Sequence, residues 1–247
     1  MAEVMLALRR SLTTLGRGRV WLSMLAPAIV AVIAMLGLSV LLLERLIAAF
    51  VEQPPMSWIA AWGAFWLAKL LAALGGWLLI LSASYLLAML LTAIIVLPLL
   101  LGHLASVDYP DLAALGRDSV VASTWNSISA ALLFIVGWLL TMPLWLIPGL
   151  GLLLPLFWMA WLNRRTFAFD ALAAHATDGE WRELRRAQAL PLLVLGLAMA
   201  LLAHVPLLGL LAPSLAALAY IHFCLEALRR LRQGAVVAVI ENSEGRQ

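Results

Sequence analysis

Long runs without a charged residue dominate the chain: Val20 to Leu43, Leu70 to Leu101, Ser119 to Asn163 and Ala187 to Leu225. A spanning helix needs about 20 apolar residues, so the 23 charge-free residues from Trp21 to Leu43 predict one crossing. The second run extends back toward Trp58 with Lys69 as its sole charge. It predicts either one long, tilted helix that projects beyond the bilayer or a helix with a lead-in segment, and Gly75-Gly76 is placed to bend it. Trp58, Trp62 and Trp66 stand at i, i+4, i+8 on one face near its start, as an aromatic anchor at the lipid headgroups would.

The third and fourth runs, each about 40 residues, are too long for one span and awkward for two spans with a turn. Each is interrupted near its middle, by Pro148-Gly149-Leu150-Gly151-Leu152-Leu153-Leu154-Pro155 and by Pro206-Leu207-Leu208-Gly209-Leu210-Leu211-Ala212-Pro213. Both read P-x-L-G-L-L-x-P, 58 residues apart. Proline lacks the backbone donor and clashes with the preceding turn, so each break ends one helix and begins another. Two matched octapeptides in two similar blocks form a repeat. Gly/Pro-interrupted segments in corresponding halves point to a transporter's binding site. Two readings stay open: the breaks line a path through the protein, or they are lipid-side turns of short hairpins. In either case, bare backbone at membrane depth needs shielding by protein or water, which a pore or an oligomer supplies.

Charge placement adds the sides. Arg9, Arg10, Arg17 and Arg19 precede the first run; Arg117 lies in the loop 103–118; Arg164, Arg165, Arg182, Arg185 and Arg186 follow the third run; Arg229, Arg230 and Arg232 follow the fourth. An even number of passages per block keeps all of these on one side, as the positive-inside rule requires, with both termini cytoplasmic. The first run is too long for a signal-peptide core and predicts an uncleaved anchor. Val4, Leu8, Leu12 and Leu15 follow helical spacing, so 3–15 is an amphipathic helix at the interface. Thr177-Asp178-Gly179-Glu180 has capping-box spacing and starts a short helix.

These features predict an all-α polytopic membrane protein forming a single membrane domain over 1–247. Its parts are an interfacial helix (3–15), a long transmembrane helical hairpin (20–102), a Pro/Gly-broken re-entrant hairpin (119–163), a cytoplasmic helical connector (164–188), a second broken hairpin (187–225) and a polar tail (233–247). Composition agrees: 65% of residues are hydrophobic and 12% charged, with a mean hydropathy of +1.03, against about a quarter charged in soluble domains.

The chain has no P-loop, nucleophile elbow, zinc-protease motif or paired-carboxylate motif, which argues against an enzyme, a cofactor, a metal site or ATP-driven transport. Nothing points to nucleic acid. Cys224 reads as a small packing residue, and Tyr220 and His222 as interfacial. His204, two residues before Pro206, is a candidate proton site or anion donor, or a histidine bonded to a carbonyl freed by the proline. The breaks suit an anion: a helix restarting inside the protein points free N–H groups and its positive dipole end at the gap, and Gly149, Gly151 and Gly209 leave that backbone open. Arg17 and Arg19, in Gly16-Arg17-Gly18-Arg19, offer forked donors for a sulfate-like group. Topology and lipid-phosphate contact are their alternative roles.

Pro148 to Asp170, with Pro-Gly-Leu-Gly, a Trp-containing helix, Phe167, Phe169 and Asp170, resembles the CysZ sulfate permeases and the wider membrane family named after the etoposide-induced protein. The likeness recurs at Pro206 to Pro213. It implies an inner-membrane oligomer with two long spanning helices and two partially inserted hairpins, taking up sulfate without ATP hydrolysis. In the CysZ branch a Gly-x-Arg-Arg-Phe loop before the first long helix is associated with sulfate binding. Here the corresponding region reads Gly16-Arg17-Gly18-Arg19-Val20, without adjacent arginines, and the loop 103–118 is shorter than the CysZ insert. The expectation is therefore a channel-like or facilitative inorganic anion permease with lipid bilayer, sulfate and further copies of itself as partners. The alternative is a non-transporting membrane scaffold or lipid-organising protein of the same family.

Overall fold

Each apolar run folds as helix, because in lipid only a helix or a closed barrel satisfies every backbone donor and acceptor within the chain. The computed structural model describes residues 2–116, 119–147, 149–205 and 208–244, with the side chains of residues 2, 19, 22, 120, 146, 152, 208, 210 and 236–244 left aside. Helices α1 to α10 are Ala2–Thr14, Gly18–Glu52, Met56–Ala61, Phe65–Leu91, Leu97–Asp108, Val120–Thr141, Leu150–Ala173, Asp178–Ala187, Ala189–Leu202 and Leu208–Glu244. A π turn, Thr92–Val96, joins α4 to α5, and a 3-10 turn, Met142–Leu146, follows α6. Among the described residues, four helices are long and apolar enough to cross a membrane: Ser23–Glu52, Phe65–Asp108, Val121–Trp145 and Leu211–Ala235. The protein is thus an all-α, multi-pass membrane protein. The helices α8 and α9 meet at 73°.

The chain forms two compact units, Met1–Leu25 with Leu90–Gln247, and Ala26–Met89. In the second of these, α4 lies against α2 with Gly76 facing Leu43 and Leu46 and Gly75 facing Phe50, an antiparallel order. Gly75-Gly76 lets two helices approach, and α4 runs on unbroken to Leu91. The tryptophans differ from expectation. Trp62 closes α3, and Gly63 at φ +87° breaks the helix before α4, so Trp58 and Trp66 belong to different helices and share no continuous face. All three stay exposed, as does most of the surrounding apolar surface.

In the first unit, the repeat reappears as structure. The helices after the breaks, α7 and α10, start at Leu150 and Leu208, the same 58 residues apart as the octapeptides. Equivalent glycines meet equivalent groups: a Cβ on Gly151 would lie 2.8 Å from the Trp145 carbonyl oxygen, and one on Gly209 2.3 Å from that of Ala203. Gly149 caps α7 at φ +88°. Pro155 and Pro213 sit inside the following helices without ending them, while Pro148, Pro206 and Leu207 lie outside the described residues. The helices flanking each break pack together: α6 meets α7 from Gly137 against Trp158 to Ser123 against Asp170, and α9 meets α10 through Tyr220, whose hydroxyl donates to the Leu192 carbonyl at 2.8 Å.

The centre of this unit is α10, touched by α1, α5, α7, α8 and α9. Within the chain, 83% of its apolar stretch is buried, against 17% of that of α2. Tyr220 and His222, expected at the interface, are therefore interior residues, 0% and 2% exposed. Cys224 is a buried packing residue, as expected. Three other boundaries moved. The arm following the first break continues to Ala173 rather than stopping near 163, so the first part of the expected connector, 164–173, belongs to α7. In place of a separate tail from 233, α10 carries on to Glu244. And α1 buries Val4, Ala7, Ser11 and Thr14 rather than Val4, Leu8, Leu12 and Leu15, leaving Met5 and Leu12 outward. Small residues allow close helix contact where the surroundings are already apolar. The capping box forms as expected, with Thr177 Oγ1 accepting from the Glu180 amide and the Glu180 carboxylate accepting from the Thr177 amide.

Candidate functional site

The arginines before α2 and at the far end of α10 converge in the first unit, around the turn that ends α5. Tyr109, in that turn and 1% exposed, lies beneath two guanidiniums, Arg229 at 4.6 Å and Arg10 at 5.8 Å from its ring centre. Its hydroxyl accepts from Arg10 at 3.0 Å and lies 3.1 Å from His222 Nδ1; the other ring nitrogen of His222 is 2.9 Å from Thr14 Oγ1. Every arginine of this cluster pairs with a carboxylate, and Glu226 is shared. Arg10 pairs with Glu226 at 2.6 Å, Arg229 with Asp111, Arg230 with Glu3 and Glu226, and Arg232 with Glu180 at 2.8 Å. Arg232 also donates to the carbonyls of His175 and Ala113, tying the connector and the loop after α5 to α10. A cavity of about 10 Å³ between α1 and α10, beside Arg10, His222 and Glu226, has room for a water and not for an oxyanion.

The electrostatics follow from these contacts. The Asp108 carboxylate holds the Arg17 guanidinium above its ordinary pKa, and Arg229 holds Asp111 below the usual carboxylate range. Burial pushes the Tyr109 hydroxyl up. The hydrogen bonds from Arg232 bring Glu180 down to about 2. A second buried group stands apart from the cluster: Asp170 on α7, 4% exposed, accepts from Ser123 at 2.7 Å and Ser127 at 3.5 Å on α6, and desolvation pushes it up to about 7.

Arg17 sits in the lead-in to α2 with its fork closed on Asp108, Nη1 to Oδ2 at 2.8 Å and Nη2 to Oδ1 at 2.7 Å. The Arg19 side chain lies outside those described. His204 Nδ1 is 2.8 Å from the Ala200 carbonyl, six residues before Pro206 and so not the carbonyl that the proline frees. Gly149 has an open face, while the open sides of Gly151 and Gly209 are filled by the chain's own carbonyl oxygens. These residues do not share one pocket. Gly209 and His222 are 13 residues apart on one helix, which is about 20 Å at 1.5 Å per residue, and Arg17 belongs to the His222 end. Sequence reasoning passed over Asp108, Tyr109, Asp111 and Glu226. The available signal was the acidic Asp-Tyr-Pro-Asp turn at 108–111, which faces an otherwise arginine-rich side.

A family model described as sulfate transporter CysZ/etoposide-induced protein 2.4 matches residues 7–213. No curated protein and no solved structure matches.

Proposed function

The chain belongs to the sulfate transporter CysZ/etoposide-induced protein family, and from that premise we propose that it is a channel-like or facilitative permease for an inorganic oxyanion, sulfate first, in the inner membrane, with both termini cytoplasmic. It is a transporter-family protein and not an enzyme. The observation that carries the reading is the Arg17 fork. A planar guanidinium already holding two carboxylate oxygens at 2.7 and 2.8 Å presents the spacing that two oxygens of a tetrahedral oxyanion match.

Arg17 captures the anion, with Arg19 two residues on in the first turn of α2, and the break at Gly149 borders its path. Gly151, Gly209 and His204 hold the turns that shape that path. Re-entrant hairpins at 119–163 and 187–225 form the pore wall, and further copies of the chain cover the outward apolar surface of residues such as Val40, Trp62 and Leu140, 85, 84 and 74% exposed. Radiolabelled sulfate uptake into liposomes holding the purified chain tests the reading. Flux above empty liposomes, reduced by Arg17→Ala, is expected. Absence of flux where a known permease works would refute it and return the chain to a membrane-organising role.

A further inference from the structure

We infer that Asp108 is an internal competitor for the anion site: its carboxylate occupies the Arg17 fork that an inorganic oxyanion takes, so the site opens by exchanging one oxyanion for another. The inference rests on the reading above and adds the residue that sets affinity.

Three observations support it. The contact is two-pronged, at 2.8 and 2.7 Å, with Arg17 and Asp108 side chains 40% and 23% exposed. An anion can therefore reach the fork from solvent, and a pair at this exposure gives way more readily than a buried one. Next, the backbone beneath Asp108 is held by groups other than Arg17, while its carboxylate is held by Arg17 alone among the described residues. Arg229 donates to the Asp108 carbonyl at 3.2 Å, and the adjoining Tyr109 is buried between guanidiniums. The carboxylate can leave by side-chain rotation alone. Third, Arg17 has no other side-chain hydrogen bond among the described residues, whereas Arg229, equally forked on Asp111, is also held by the Asp108 carbonyl and the Tyr109 ring. Release of Asp108 thus frees a complete fork at Arg17, while the neighbouring arginines keep their carboxylates.

Titration calorimetry with sodium sulfate on the full purified chain, in uncharged detergent, decides the matter. Asp108→Asn should bind sulfate about tenfold more tightly than wild type, the size of one charge-assisted contact. Arg17→Ala should lose binding, and the gain should vanish in the double variant. Asp108→Ser carries the same expectation and serves if the Asn variant elutes as aggregate. Unchanged or weaker binding in the Asp108 variants, or a gain that survives Arg17→Ala, overturns the inference while leaving the permease reading standing. No sulfate binding by wild type or by the Asp108 variants overturns both. Repeating the titration in nanodiscs of anionic phospholipid separates the two sources of phosphate-like oxygens. A retained gain supports an inorganic anion, and a gain abolished there assigns the fork to a lipid headgroup and overturns the inference.

Discussion

Asp170 offers the sharpest physical test of the fold. It lies outside the four span-length helices, 4% exposed, with two serine hydroxyls and, among the described residues, no cation as hydrogen-bond partners. An unpaired buried carboxylate avoids its desolvation penalty by taking up a proton, which is why its pKa rises from 3.8 to about 7. At about 1.4 kcal/mol per pH unit, that rise makes the folded state favour the neutral acid by about 4 kcal/mol, an order-of-magnitude figure. The folded protein then binds more protons than the unfolded chain between these values. Its contribution to stability is fully present below about pH 4, falls as pH rises, and is gone above about pH 7. Asparagine is neutral at every pH and keeps an oxygen for Ser123 and Ser127. Asp170→Asn should match wild type near pH 4 within about 1 kcal/mol and exceed it at pH 8 by about 2 to 4 kcal/mol, measured by denaturant titration of the protein in detergent. Other groups titrate in both proteins, so the difference between the two curves is the readout. Parallel curves, or an asparagine variant weaker at pH 8, would show that Asp170 is not the isolated, desolvated acid described.

The matched breaks predict matched costs. Gly151→Ala and Gly209→Ala each drive a Cβ into a backbone carbonyl and should destabilise by about 1 to 3 kcal/mol in thermal unfolding, with Gly209 the larger; a neutral result at either would contradict the turn geometry. Tyr109→Phe removes the hydroxyl shared by Arg10 and His222 and should lose about 1 to 2 kcal/mol by the same assay, leaving helix content by circular dichroism unchanged. Glu180, held near 2 by Arg232, contributes stability that is present above about pH 4.5 and lost as pH falls through about 2. Arg232→Ala should accordingly move the acid-unfolding midpoint upward, and an unmoved midpoint would show that the pair is idle.

What the sequence made legible was local or periodic. The repeat placed the starts of α7 and α10, and the capping box placed α8. What it hid depends on which distant group ends up opposite which. Arg17 finds Asp108 across 91 positions and Arg10 finds Glu226 across 216, and no local spacing encodes such pairings. The face of α1 misled for a different reason. Apolar periodicity identifies the surface that leaves water, and in a membrane protein that surface is Met5 and Leu12 turned outward, while Ala7, Ser11 and Thr14 make the close contact with α10.

Along α10, the second break at Gly209 and the His222 end that Arg17 joins stand about 20 Å apart. On the proposed reading, capture belongs to Arg17 and passage to the break at Gly149, and the two should separate kinetically. Arg17→Ala removes a contact made before the anion moves, so sulfate uptake into proteoliposomes should show a KM raised about tenfold or more with the maximal rate little changed. Gly149→Ala strains a residue held at φ +88° and leaves the fork intact, so it should lower the maximal rate at nearly constant KM. Binding of sulfate measured without transport should follow the same division, lost in Arg17→Ala and kept in Gly149→Ala. If both variants move the same parameter, capture and passage are not consecutive.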